Sequence, residues 1–352
     1  MIARVDGYIA PVKAAQRATV DFARDADKAV KSGKKGWDEL SRGAGVAGAA
    51  MVLGVGMAVR AFARFDQAMS KVAAAGKDYA NNLDALRATA LQAGRDTKFS
   101  ATEAAAGEEA LAKAGVSAAD IIGGGLKGAL DLAASGNMSV ADSAEVAASA
   151  MVTFGLKGGQ VGHVADVLAA AAGKAQGEVS DMGAALRQSS AIAAQLGLSI
   201  EDTAGALAMF ANAGITGSDA GTSFKQMLLM MVAPTDTAAA LIKKYGLAFF
   251  DAGGTMKSFS AIAEELRTKL GGLTQQEQGR ALKVIFGADA YRVAAIAMKG
   301  GAAAADSWRA AVDDAGYASD AAAKRTDNLA GDFERLTGSL ETGLIQAASG
   351  SN

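Results

Sequence analysis

Two stretches, GAGVAG from Gly43 and GGGLKG from Gly123, carry the GxGxxG spacing that lets a backbone approach a dinucleotide pyrophosphate. That chemistry needs a buried strand before the loop and an acid at the end of the next strand. The first stretch instead follows the charged KGWDELSR and the second a capped helix start, so neither has the required setting. Two pairs of adjacent acids, Glu108 with Glu109 and Glu264 with Glu265, are the kind of group from which a glycosidase is built. Neighbouring residues on a helix project about 100° apart, so neither pair faces one substrate, and solvated helix faces account for both. His163 is the single histidine and sits in GGQVGHVADVL at a helix start, where a surface or capping role suits it. One imidazole excludes HExxH zinc peptidases, and the absence of cysteine excludes thiol hydrolases, disulfides and Cys-ligated zinc. Neither GxxxxGK[ST] nor GxSxG occurs. The residues therefore assign no catalytic group, no cofactor and no metal.

The elements that would position such groups follow from composition. Of 352 residues, 51% are hydrophobic but only 5% aromatic, so the apolar content is mostly Ala, Val, Leu and Met, a mixture that favours helices. The two prolines leave most of the chain free to be helical, and the 43 glycines recur between apolar runs, where helix C-termini need them. A net charge of −2 gives no basic field, and no basic-aromatic patch occurs, so sequence-specific nucleic-acid binding has no support. No charged n-region and cleavage site precede the first apolar run, which speaks against a secretory signal.

Four parts are expected. Residues 1–41 read as a polar helical arm, with Ile2, Val5, Ile9, Val12, Thr19, Ala23, Ala26 and Val30 on alternating three- and four-residue steps, a weak coiled-coil seam limited by Pro11 and SGKKG. Residues 42–64 form a Gly/Ala-rich apolar helix. A core helical domain covers 65–318, and an amphipathic C-terminal helix, the start of a rod, covers 319–352. In the core a start signal repeats: FSATE, VSAAD, MSVAD, LSIED and LTQQE each place Ser or Thr three residues before an acid, as in a capping box. Val116 and Ile121 stand as a hydrophobic staple. Pro234 in APTD ends one apolar helix, and Met227, Met230 and Met231 before it read as core. The stretch GLAFFDAGGTMKSF, about 246–259, has apolar residues either side of Asp-Ala-Gly-Gly and predicts a small β-hairpin. The fold class is all-α, a compact multi-helix core with that hairpin, flanked by extended helical N- and C-terminal arms.

Two apolar stripes point outward. Residues 43–59, bounded by Arg42 and Arg60, contain no charge; as a helix they span about 26 Å, short of the roughly 30 Å hydrocarbon core. Val46, Met51, Val52, Leu53, Val55, Met57 and Val59 supply its apolar bulk and are the membrane-active candidates, while the small residues between them allow tight packing against other helices. A conditional membrane helix is expected rather than a permanent anchor. In the tail, Leu329, Phe333, Leu336, Leu340 and Leu344 share one helix face and are the self-association candidates.

FDQAMSKVAA at Phe65, LRATALQAGRDTKFSATEAA at Leu86, LAKAGVSAADI at Leu111, LDLAASG at Leu130, FANAGITGSDAGTSFKQMLLMMVAPT at Phe210, FDAGGTM at Phe250 and ALKVIFGADA at Ala281 resemble, in order, the core of phage tail tape measure proteins. The likeness runs from about Phe65 to Leu344. It implies a structural, non-enzymatic role: a homo-oligomeric helical ruler inside the tail tube, around which tube protein polymerises. It further implies contacts with tail tip or baseplate proteins and tail assembly chaperones. The location implied is the host cytoplasm during assembly, then the tube lumen and tail tip of the virion, then transiently the host membrane during genome passage. Fully helical, 352 residues reach only about 530 Å. The long rods and wall-cleaving domains of that family are missing here, which implies a portion or processed form of a longer ruler, or a short natural variant. Two other readings are a membrane-active effector unconnected with tails and a tail-associated peptidoglycan hydrolase module.

Overall fold

A computed structural model describes the backbone of residues 46–349 and the side chains from Met57 onward, that of Leu329 excepted. The expected polar arm and its seam lie outside the described residues. Two compact units emerge, one from residues up to 112 together with those from 326, the other from 113–325.

The first unit is built from α1 (Val46–Ala74), α2 (Lys77–Asn81), α3 (Leu83–Asp96), α4 (Ala101–Lys113) and α16 (Leu329–Ser349). α16 packs along α1 and α3. Phe65, Met69 and Val72 of α1 and Leu86 and Ala90 of α3 are fully buried. The register of this pair is fixed by Arg87, which reaches Asp66 at 2.8 Å and lies over the Phe65 ring, 5.5 Å from its centre. Tyr79 donates from its hydroxyl to the Ala112 carbonyl at 2.9 Å, tying α2 to the end of α4.

The second unit runs through α5 (Ala118–Asp120), which continues as a wide π-turn over Ile121–Gly125, then α6 (Leu126–Gly136), α7 (Val140–Thr153) and α8 (Val161–Lys174). It proceeds through α9 (Val179–Gln195), α10 (Ile200–Asn212), α11 (Gly217–Val232), α12 (Asp236–Tyr245), α13 (Phe259–Leu270), α14 (Gln275–Val312) and α15 (Tyr317–Thr326). α14 is the hub, packing against α13, α10, α11, α12 and α8. At the centre Phe210, Phe224 and Phe259 meet edge to face with ring centres 5.6 to 5.9 Å apart, so a chain poor in aromatics concentrates three of them in one cluster. Met227 and Met231 are buried, while Met230 is half-buried.

The start signals are used as the sequence predicts. Ser117, Ser139, Ser199 and Thr274 accept from the backbone N–H groups of Asp120, Asp142, Asp202 and Glu277. Ser100 likewise accepts from the Glu103 N–H at 3.3 Å, and its own N–H donates to the Glu103 carboxylate at 2.8 Å. Each satisfies donors that the first helical turn leaves without an internal partner. α11 ends at Val232, and after Pro234 the hydroxyl of Thr235 caps α12.

At 246–259 the structure departs from the expected hairpin. The chain reverses, but Phe250 and Met256 form a single antiparallel bridge, and no strand occurs among the described residues. The cause is Asp251, whose Oδ1 accepts from the Gly253 and Thr255 N–H groups, both at 2.9 Å. The side chain thus organises the turn, and two residues after Met256 the chain is already capped by Ser258 into α13, before a ladder can extend.

Replacing the central ring should cost far more than removing a cap. Phe224→Ala is expected to lower stability by ~3–5 kcal/mol and Ser199→Ala by ~1 kcal/mol, read from denaturant midpoints of the second unit. Equal losses would contradict the assignment of the Phe cluster as its centre.

Candidate functional site

The groups that suggested chemistry are dispersed, and Glu264, Glu265 and His163 are each paired. Glu108, expected on a solvated face, is fully buried on α4, and neither carboxylate oxygen has a hydrogen-bond partner. Burial pushes its carboxyl up to about 9, so it is held neutral. Glu109 is half-buried. Glu264 receives two bonds from Arg267 at 2.6 and 2.9 Å and one from the Ala302 N–H at 3.1 Å; Arg267 first and Ala302 next lower its carboxyl to about 2. Glu265 pairs with Lys257 at 3.2 Å. His163 Nε2 lies 2.6 Å from Glu201 Oε1, linking α8 to α10. Burial opposes ionisation of Glu201, but bonds from Ser199 and His163 outweigh it and hold the carboxyl below its usual range. Among the described residues no three His, Asp or Glu side chains cluster as metal ligands.

The GGGLKG stretch begins in the π-turn and continues into α6. Gly124 there has φ 133°, a backbone shape open to glycine, inside a helical run rather than after a strand. It is a helix-to-helix joint, not a phosphate loop.

What the first unit does present is apolar surface. Met57 and Val59 on α1 are each 58% exposed, Phe333 on α16 is 69% exposed and Leu340 36%. Leu336 and Leu344 are half-buried, and Leu329 lies in the same helix. α16 turns a different stripe inward: Gly331, Gly338, Thr342 and Ile345 are its buried residues. Gly338 explains the choice, since a Cβ there would stand 3.0 Å from the Phe99 carbonyl oxygen. Small residues let the helix seat closely, and Phe333 and Leu340 are left outside. Beside Phe333 runs a groove of about 420 Å³ lined by Lys98, Phe99, Glu103, Glu334 and Glu341. Lys98 reaches Glu334 at 3.3 Å and lies over the Phe99 ring, so its charge is already matched.

Val46, Met51, Val52, Leu53 and Val55 fall in the first turns of α1, the same helix that carries Met57 and Val59. No helix among the described residues is long and apolar enough to cross a membrane. The exposed pair on α1 was legible as part of an uncharged run. The buried Glu108 was not, because the three acids of ATEAAAGEEALAK give no sign of which helix face turns inward.

The chain belongs to the family of phage-related minor tail proteins, whose model matches residues 87–287. It is similar to the tape measure protein of Pneumococcus phage Dp-1, 36% identical over 282 residues, which are 80% of this chain and 24% of that protein. It is also similar to the probable tape measure protein of Escherichia phage P2, 30% identical over 305 residues, 85% of this chain and 37% of that protein. The chain thus spans well under half the length of either relative. No solved structure matches it.

Glu108 makes a pH prediction. An unfolded chain releases this proton near 4.5, whereas the folded chain keeps it to about 9. Stability from this group is therefore full below 4.5 and falls as pH rises toward 9, by up to about 1.4 kcal/mol per unit. Glu108→Gln should remove ~2–4 kcal/mol of the difference in unfolding free energy between pH 5 and pH 8. An unchanged difference, measured by denaturant titration at both pH values, would contradict the burial of a neutral acid.

Proposed function

We propose that this chain is the core portion of a tail tape measure protein, a structural and non-enzymatic component that lies in the tail tube and at its tip. The observation that carries this is the family match over 87–287 joined to similarity along 80% or more of the chain with two proteins named as tape measures. The closed state of the acids supports a role in packing rather than catalysis. In this reading the chain contacts tube protein, tail tip or baseplate proteins and tail assembly chaperones. It associates with further copies through Phe333, Leu336, Leu340 and Leu344, with Leu329 continuing the stripe. Co-expression with the tail tube protein tests the reading: coelution on size exclusion is expected, and separate elution at micromolar concentrations contradicts it. Phe333→Asp with Leu340→Asp should leave coelution intact while weakening self-association at least about tenfold in sedimentation, since two charges would face the apolar contact. Unchanged self-association would remove α16 from the interface.

A role at the host membrane is the second part of the proposal, supported by the exposed Met57 and Val59 at the end of an uncharged Gly/Ala-rich run. Such a helix suits both a protein assembly and a lipid surface, because neither environment is strongly preferred. A peptide of residues 43–59 is expected to release dye from liposomes; inertness at every lipid composition would overturn this part alone.

A further inference from the structure

We propose that α14 is a clasp with two corners: three helical segments that join into one straight 38-residue helix when the surrounding helices withdraw. Gly287 and Gly301 are its hinges and Glu264 is its catch. This goes beyond the tail reading and holds whatever the chain assembles with.

The corners are single residues. Gly287 has φ 81° and ψ 179°, and Gly301 has φ 61° and ψ −161°, while the chain on both sides of each is helical. Those angles belong to a region that only glycine occupies without strain. No loop residue and no proline lies between the segments 275–286, 288–300 and 302–312. Rotation about one φ, ψ pair at each glycine therefore suffices to make the helix continuous. Straight, it would extend about 57 Å.

Separate neighbours hold each segment. Phe286 of the first meets Phe249 with ring centres 5.9 Å apart. In the second, Arg292 pairs with Asp219 of α11 at 2.7 Å, and Val293, Ala294 and Ala297 are fully buried. In the third, Arg309 pairs with Asp202 of α10 at 3.0 Å, and Lys174 of α8 donates to the Ala311 carbonyl at 2.8 Å. Straightening breaks these contacts, so the bent form dominates while the unit is closed. Opening would free an apolar stripe including Ile285, Phe286, Val293 and Ala297 for another polypeptide.

The two corners differ in how they are secured. At Gly287 a Cβ would meet nothing within 4 Å, so only the dihedral angles hold glycine there. At Gly301 a Cβ would stand 2.5 Å from Arg267 Cδ and 2.8 Å from Glu264 Oε2. That same oxygen accepts the Ala302 N–H, which in a straight helix would donate to the carbonyl of Met298 four residues earlier. Glu264 thus supplies from α13 the bond that bending removes, and Arg267 and Thr268 hold it in place. It is a helix cap provided by another helix, at the Gly301 corner of α14.

The chain has no cysteine, so spin labels can be placed on the full-length protein as Gln276→Cys with Ala310→Cys. A straight α14 sets these positions about 51 Å apart. Dipolar spectroscopy on the otherwise unaltered chain should give a single shorter distance. Gly287→Ala with Gly301→Ala should raise the population near 51 Å at least about tenfold, because both angle pairs become strained, with helical circular dichroism kept or increased. Glu264→Ala should raise the same population by a smaller factor, and Gly279→Ala, inside a regular segment, should leave the distance unchanged. A double variant that keeps its helix content and its short distance overturns the hinge. So does one that loses helix content without any population near 51 Å, since the corners would then be fixed parts of the fold. An unchanged distance in Glu264→Ala overturns the role of the catch.

Discussion

Gly221 faces Ala185 so closely that a side-chain carbon on it would stand 2.7 Å from the Ala185 Cα, and Gly128 faces the Gly162 Cα at 2.8 Å in the same way. The distance between helices in the larger unit is thus set by the absence of side chains. A chain with 5% aromatic residues cannot fill wide gaps between helices, so it brings backbones together and relies on many small contacts. The Phe210, Phe224 and Phe259 cluster fills the space where α10, α11 and α13 meet.

The same constraint accounts for what stays outside. When glycine faces are chosen for close packing, larger apolar residues on the other faces remain uncovered, as Phe333 and Leu340 do on α16 and Met57 and Val59 do on α1. Charge is spent locally. Several carboxylates among the described residues cap a helix start or pair with a neighbouring base, and Glu264 does both, whereas Glu108 is kept neutral by burial. The faces of α1 and α16 that remain open therefore carry large apolar side chains, which suits contact with another polypeptide.

Local chemistry was legible in the sequence, and tertiary choices were not. Ser117, Ser139, Ser199 and Thr274 could be placed at helix starts because a cap acts within four residues. The turn at Asp251 could be placed too, but not its single bridge, since the side chain's bonds to the Gly253 and Thr255 N–H groups outweigh ladder formation. The stripe from Leu329 to Leu344 has the right period. Periodicity cannot say that Gly331 and Gly338 will turn inward instead, which depends on the shape of the surface they meet. Gly287 and Gly301 were silent for a related reason: glycine inside a helical pattern reads as a tolerated weakness, and its use as a corner is decided by five neighbouring helices. For the candidate site, the apolar residues could be named but their exposure could not.

In the proposed role this polypeptide lies against others in an assembled tail. Quantitative mass spectrometry of purified particles tests it most directly. Peptides from across 46–349 should be present at a fixed ratio to tube protein in every preparation. Particles that assemble and infect while lacking them would contradict the account.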